Sequence, residues 1–511
     1  MSGLAEKEKV ALLDLGHLDS IRKETYQNAL FSRPCQGGQQ EKVRVPATSC
    51  PSMTADARPS LVPLQLTVDR ECRLAGASPA LLAALKAELT IDNPKYQAAK
   101  QFGRWIGKQL KPKLFFFRQQ DDGICFPRGF GNQAVRICRR VSGETPEVVD
   151  HRRTLDEIDL AFRGTLRPYQ EQAVATILDH SFGVLEAGTG SGKTVMALAV
   201  MARRRQPALI LVHNKELLRQ WQQRIEQFLG VEAGQAGDGV FDIRPITVAI
   251  VNTAKKHLHT LPGQFGQLVV DECHRVPASL FTDVVSAFDC RYMLGLSATA
   301  FRREDGMTRL IHIYMGDRVH AVDGRMLAAS GAVVRPELEQ RPTGFLYGYQ
   351  GEYPKLIKAL AGNLQRNRLI VDDILALIRH GHRGTILVVS DRVAHCQALA
   401  DLLQAGGVIA PVLTGQSPPE TRADLVADVQ AGKVAVLVAT LQLIGEGFDC
   451  PGLSTLILAT PIKFEGRLLQ VVGRIMRPAV GKRARVIDYV DENIPVLRRS
   501  AAARRAVFSG W

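Results

Sequence analysis

The sequence predicts an α/β protein: two tandem P-loop-type domains with parallel sheets, preceded by a small N-terminal α+β accessory module. Three observations carry this. Beyond about residue 180, short β-rich apolar runs alternate with helical patterns, the mark of strands joined by helical crossovers. The runs fall into two series of about five, at 183–186, 208–212, 246–252, 268–271 and 292–296, then at 385–390, 410–413, 434–439, 455–459 and 485–490. The first run hands over to a helix through Glu186-Ala-Gly-Thr-Gly-Ser-Gly-Lys-Thr194, a glycine-rich phosphate cradle. A chain of 511 residues is long for one core and suits roughly three units of about 150 residues.

In order along the chain, residues 1–60 combine a helical pattern at 4–30 with a Ser/Pro/Thr-rich stretch and are expected to form a flexible tail. Residues 61–150 read as the accessory module: a strand, a helix at 78–89 with Ser78 as N-cap and Pro79 at its first position, a helix at 94–106, a strand at 113–119, an Asp-Asp-Gly turn and a strand. Residues 151–335 hold the first strand series and 336–511 the second. The Pro/Gly-rich stretch 331–351 reads as an irregular connection between them.

The chemistry is concentrated at the strand ends, where open α/β sheets bind ligands. Gly188, Gly190 and Gly192 let successive backbone N–H groups converge on a β/γ-phosphate, with Thr189 and Ser191 between them. Lys193 reaches the phosphates and Thr194 can hold Mg²⁺. A Gly-Ser linker would explain neither the terminal Lys-Thr nor the flanking strand and helix. Asp271 and Glu272 end the run at 268–271: Asp271 would hold Mg²⁺, and Glu272 would orient and deprotonate the water attacking the γ-phosphate. An acidic pair alone is an ordinary helix cap; downstream of a phosphate loop it reads as a Walker B. Upstream, Arg167 and Gln170 precede the loop by a helix, and a glutamine amide can pair with N6 and N7 of adenine, favouring ATP over GTP. In the second series, Gln470-Val-Val-Gly-Arg474-Ile-Met-Arg477 places two arginines three apart, on one helix face, where they could neutralise charge spreading over the γ-phosphoryl group.

Lys and Arg total 65 against 51 Asp and Glu, a net charge of +14 that suits a polyanionic partner. From Lys95 to Arg118 there are seven basic residues and no acidic one, interleaved with Tyr96, Phe102, Trp105 and Phe115 to Phe117. Basic groups with aromatic platforms suit nucleic acid, although three consecutive Phe on a strand also suit a core. The nine cysteines include no C-x-x-C pair and read as reduced thiols. The charged N-terminus lacks a signal-type apolar region, and no apolar run approaches a membrane span. A soluble, cytoplasmic protein with no membrane partner is expected.

The order of these motifs resembles that of superfamily 2 DExH helicases over about residues 160–490, with Asp271-Glu-Cys-His274, Ser297-Ala-Thr299 and Gly445-Glu-Gly-Phe-Asp449 completing the set. Within them it is most similar to the XPB-like group and related phage and mobile-element DNA helicases. The resemblance implies two RecA-like domains with ATP and Mg²⁺ between them. Gln470, Gly447 and Asp449 would face the nucleotide, and His274, Ser297 and Thr299 would couple hydrolysis to motion. A single strand would cross both domains at His213, Asn252, Thr253, Ser390, Gly415 and Thr440. Arg303-Glu-Asp305 resembles an element linked in that group to unwinding; a surface charge cluster is the equal alternative. Asn93-Pro-Lys-Tyr96, Gly103-Arg-Trp105 and Pro127-Arg-Gly-Phe130 resemble segments ahead of the core in the phage and mobile-element proteins. The expected function is an ATP-dependent DNA helicase or translocase, 3′ to 5′ by resemblance, acting on single-stranded, forked or branched DNA in repair, recombination or replication of a bacterial or phage genome. The alternatives are a restriction-type DNA translocase subunit, an RNA helicase, and a nucleic-acid clamp without productive ATPase.

Overall fold

The computed structural model describes residues 63–101, 105, 110–274, 278–298, 309–445, 450, 452–462, 465–479 and 481–509. The predicted tail at 1–60 and the candidate residues Thr299, Arg303, Gly447 and Asp449 lie outside the described residues.

Two parallel sheets dominate. The first has eight strands in the spatial order Val240–Asp242, Gly234–Gly237, Ile246–Ile250, Ala208–Val212, Gln267–Val270, Tyr292–Ser297, Phe182–Ala187 and Arg318–Val322. Every pair is parallel except the hairpin at the first edge. The second has six strands, all parallel: Pro336–Pro342, Ala484–Val490, Leu453–Leu458, Thr385–Ser390, Val436–Thr440 and Val412–Leu413. Their central strands are buried end to end, as sheets covered by helices on both faces require.

Both sheets exceed the expected five strands, for local reasons. Asp238 and Gly239, with φ of 53° and 83°, form the tight turn of the edge hairpin. Its first strand, Gly-Gln-Ala-Gly, carries no β-branched residue, so only the turn announces it. The stretch 331–351, expected to be irregular, contains the strand Pro336–Pro342. This strand pairs on one side only, at the sheet edge, where prolines at its two ends are tolerated. The run expected to extend to Asn252 stops at Ile250, and Val251–Lys256 turns into helix.

The accessory module is a five-stranded sheet in the order Arg118–Gln120, Gly123–Pro127, Glu71–Ala75, Gln65–Val68 and Glu147–Asp150, backed by helices Pro79–Glu88 and Gly131–Ser142. Ser78 caps the first helix, its hydroxyl accepting the Leu81 N–H at 3.3 Å. The second helix escaped the sequence reading. The expected single strand at 113–119 is two strands, Lys113–Phe115 and Arg118–Gln120, in different sheets.

The segment Pro127-Arg-Gly-Phe130 is a docking element. The Arg128 guanidinium is buried, donating to the Cys290 carbonyl at 2.6 Å and lying 3.4 Å from the Met293 sulfur. Ile313 of the helix Arg309–Met315 is packed into the module's own core. Gln133 and Arg136 hold Asp317, and Arg309 holds Glu88.

Candidate active site

The first sheet delivers its functional residues at the carboxyl ends of adjacent strands. Phe182–Ala187 leads into the phosphate loop, and Lys193–Arg204 follows as a helix whose alanine-rich body is almost fully buried. Gly192, at φ 80°, caps that helix. A side chain there would be strained, and its Cβ would lie 2.5 Å from the Gln170 amide. The loop is held from behind. The Tyr169 hydroxyl and the Gln170 amide both donate to the Ser191 carbonyl, at 2.9 and 3.0 Å. The Gln170 side-chain carbonyl accepts the Arg167 N–H at 2.9 Å, closing the cap of the helix Pro168–Leu178.

Next to the loop, Gln267–Val270 ends at Asp271 and Glu272. Glu272 adopts a φ of 45°, uncommon for a non-glycine residue and placed where its carboxylate approaches Lys193, 4.0 Å away. The Lys193 ammonium also donates to the Ala187 carbonyl at 3.0 Å. Each oxygen of Asp271 accepts one N–H: Oδ1 from the Glu272 backbone at 2.9 Å and Oδ2 from the Trp221 indole at 2.8 Å. Burial, and then the neighbouring Glu272 charge, push the Asp271 carboxyl above its ordinary range, against the Trp221 hydrogen bond and Lys193.

His274 links this wall to the second sheet. Its Nδ1 lies 2.8 Å from the Ser297 hydroxyl and 3.3 Å from Glu272, and its Nε2 lies 3.4 Å from the Gln470 amide nitrogen. Gln470 sits on the helix Glu465–Ile475. At Gly473 of that helix a Cβ would fall 2.5 Å from the Thr189 Cβ, so the helix backbone lies directly on the phosphate loop. The Arg474 guanidinium donates to the Ile444 carbonyl at 3.2 Å. Arg477 lies beyond the helix end, not on its face as expected. Pro478 follows it, and a residue before proline is pushed out of the helical region.

Between the two sheets lies a cavity of about 740 Å³ lined by Thr189 to Thr194, His213, Asp271, Glu272, Gln470, Arg474 and Arg477. Arg167, Lys193, Arg224, Arg474 and Arg477 oppose two carboxylates there, a cationic setting suited to a polyphosphate. Thr194 and Asp271, a hydroxyl and a carboxylate at one cavity wall, are a hard-oxygen donor pair that fits Mg²⁺ shared with phosphate oxygens. Among the described residues no cluster of three or more His, Cys, Asp or Glu could hold a metal unaided. Gln170 and Gly188 are not among the lining residues, and the Gln170 amide is engaged by the phosphate loop.

The candidate strand contacts do not converge on one surface. Gly415 and Thr440 line a second cleft of about 1140 Å³ with Asn214, Lys215, Arg219, Gln220 and Arg467, whereas His213 faces the first cavity. Asn252 and Thr253 lie on the helix Val251–Lys256, outside both. Ser390 is fully buried, its hydroxyl 2.9 Å from His395 Nδ1, so its side chain cannot meet a strand. Trp105 is 89% exposed, on the accessory module. Sequence reasoning missed Trp221, Arg224 and the contact of Gly473. Only the glycine left a signal, because a helix interior ordinarily avoids it.

Two family models match the chain: the res subunit of type III restriction enzymes over residues 163–302, and the helicase conserved C-terminal domain over residues 369–479. The probable helicase of Escherichia phage T5 is 27% identical over 372 residues, covering 71% of this chain and 80% of that protein. The DNA 3′-5′ translocase XPB2 of Sulfurisphaera tokodaii is 25% identical over 375 residues, covering 66% and 84%. A protein of Acanthamoeba polyphaga mimivirus named as an ATP-dependent RNA helicase is 27% identical over 369 residues, covering 68% and 69%.

Proposed function

We propose that this chain is a superfamily 2 DExH helicase of the XPB-like group that hydrolyses ATP in the cavity between its two sheets and uses the cycle to move along or unwind DNA. The observation that carries this reading is the cavity itself: phosphate loop and paired carboxylates on one wall, Arg474 and Arg477 on the other. In it, Lys193 and the loop N–H groups bind the triphosphate, and Glu272 takes the proton of the attacking water. Arg474 and Arg477 neutralise charge on the transferring phosphoryl group. Thr194 and Asp271 would hold Mg²⁺, which would supply positive charge against that of the phosphates. His274, bridging Ser297, Glu272 and Gln470, reports the state of the acid pair to the second sheet. The RecA-like domains correspond to residues 151–335 and 336–511, with the accessory module at 61–150.

DNA as the substrate is supported by the name of the XPB2 relative. Gly415, Thr440, Asn214 and Lys215 in the second cleft supply non-specific contacts to a strand. ATPase stimulation and strand displacement across single-strand, fork, junction and RNA substrates test the reading. DNA-stimulated phosphate release with displacement supports it, stimulation by RNA alone replaces DNA with RNA, and nucleotide binding without turnover leaves a clamp. A role in repair, recombination or replication would follow from which branched substrate is preferred.

A further inference from the structure

The helix Lys215–Leu229 stands between the two clefts. Lys215, Glu216, Arg219 and Gln220 of its first turns line the second cleft, and Leu217, Gln220, Trp221 and Arg224 line the first. Gln220 belongs to both walls. Asn214 caps the helix, its side chain accepting the Leu217 N–H at 2.8 Å, so the loop at the second cleft and the helix start are one rigid piece. Trp221 is almost fully buried, and its single polar atom donates to Asp271 Oδ2 at 2.8 Å. An indole has one donor and no acceptor, so this hydrogen bond fixes which oxygen of Asp271 faces the helix and which directions stay open to the cavity.

We propose that Trp221 is a positioning residue: it fixes the carboxylate that faces Mg·ATP and ties it to the helix walling the second cleft, so that a bound strand is read at the nucleotide site. The inference rests on the reading of the first cleft as the ATP site. A strand pressing on Asn214, Lys215 and Arg219 shifts or stiffens the helix, and Trp221 passes that change to Asp271 through one directional hydrogen bond. Without the indole N–H, Oδ2 is left buried without its donor, and that cost drives the carboxylate to turn. Groups that orient a metal-facing carboxylate in this way typically contribute about 10- to 100-fold to metal affinity or activity.

Trp221→Phe removes the N–H and keeps an aromatic ring in the core. The Mg²⁺ concentration needed for half-maximal binding of a fluorescent ATP analogue should rise by about 10-fold or more. Single-strand stimulation of hydrolysis should fall toward the unstimulated rate while strand affinity holds. Wild-type Mg²⁺ dependence together with wild-type stimulation would overturn the proposal. If the variant fails to fold in a thermal melt, Trp221 fluorescence decides in a Trp105→Phe/Trp511→Phe chain, since the protein has three tryptophans. Emission should respond to Mg·ATP analogue and, separately, to single strand. Emission unmoved by nucleotide refutes the positioning role, and emission unmoved by strand refutes the link between clefts. A wild-type chain with no nucleotide turnover fails the ATPase reading itself. A stimulated wild type matched by Trp221→Phe fails this proposal alone.

Discussion

The two walls of the cavity between the sheets are built on different terms. On the first sheet the phosphate loop, Lys193 and Asp271 are tied in place by their own domain: Tyr169 and Gln170 hold the loop, Ala187 holds Lys193, and Trp221 and the Glu272 N–H hold Asp271. On the second, Arg474 and Arg477 sit at and past the end of one helix, and that helix meets the phosphate loop through backbone at Gly473. The first wall carries the phosphate loop and the acid pair within one domain; the second, where Arg474 is held by the Ile444 carbonyl, reaches them only as far as the two sheets are docked. Substitutions should therefore separate into those that remove binding or chemistry outright and those that spare binding and slow turnover.

The largest effect is expected on the first wall. Lys193→Ala should abolish hydrolysis by removing the phosphate-contacting ammonium, whereas Glu272→Gln should bind ATP and trap it. A filter-binding assay of nucleotide retention distinguishes them, and equal retention with normal turnover in both would dissolve the comparison. Next in size, Arg474→Ala or Arg477→Ala should cost up to about 10³ in rate with little loss of ground-state affinity, as arginine fingers do. A single-turnover measurement that instead finds weakened ATP binding and an intact maximal rate would move that arginine to the binding wall.

Gly473→Ala sharpens the contrast without touching a charged group. The new methyl would lie 2.5 Å from the Thr189 Cβ, so the helix must retreat or the loop must yield. Overpacking of this kind costs about 1–3 kcal/mol, charged here to the docked arrangement of the sheets. Turnover should fall while the phosphate loop still binds nucleotide, and Thr189→Gly in the same chain should restore part of the loss. Failure of that rescue would mean that the two backbones do not meet during the cycle.

What the sequence disclosed follows the same division. Phosphate chemistry forces Gly188 to Thr194 to be contiguous, so that part of the first wall could be read directly. The acid pair needed only a strand end. Trp221 and Asp271 are fifty positions apart and meet because a helix packs over a parallel sheet, which no local pattern encodes. The family resemblance makes Ser390 a strand contact, but its hydroxyl is turned inward to His395. The strand Pro336–Pro342 was hidden by the two residues that usually forbid one; only its edge position makes them harmless. Pro127-Arg-Gly-Phe130 stood out as a motif, yet its arginine is a bolt into the first domain, not a surface cation.

That bolt changes how the accessory module should be tested. Removing residues 1–150 would strip Arg128 from Cys290 and uncover Ile313, so a weakened chain could not be told from a lost DNA contact. Point changes on the exposed face avoid this. Trp105 and Phe115 are 89% and 58% exposed, and Lys111 and Lys113 are exposed beside Phe115. Trp105→Ala should leave the melting temperature unchanged, because the ring contributes nothing to a core. If a base stacks on it, strand affinity should drop at the low end of about 1–3 kcal/mol, equally at low and high salt. Lys111→Gln with Lys113→Gln should do the opposite: each lost phosphate contact flattens the slope of log affinity against log salt by roughly 0.7 to 0.9. Affinity measured at two salt concentrations for both variants separates stacking from charge. An unchanged slope in the lysine variant, with unchanged affinity in Trp105→Ala, would take the module off the DNA path and leave the second cleft as the contact.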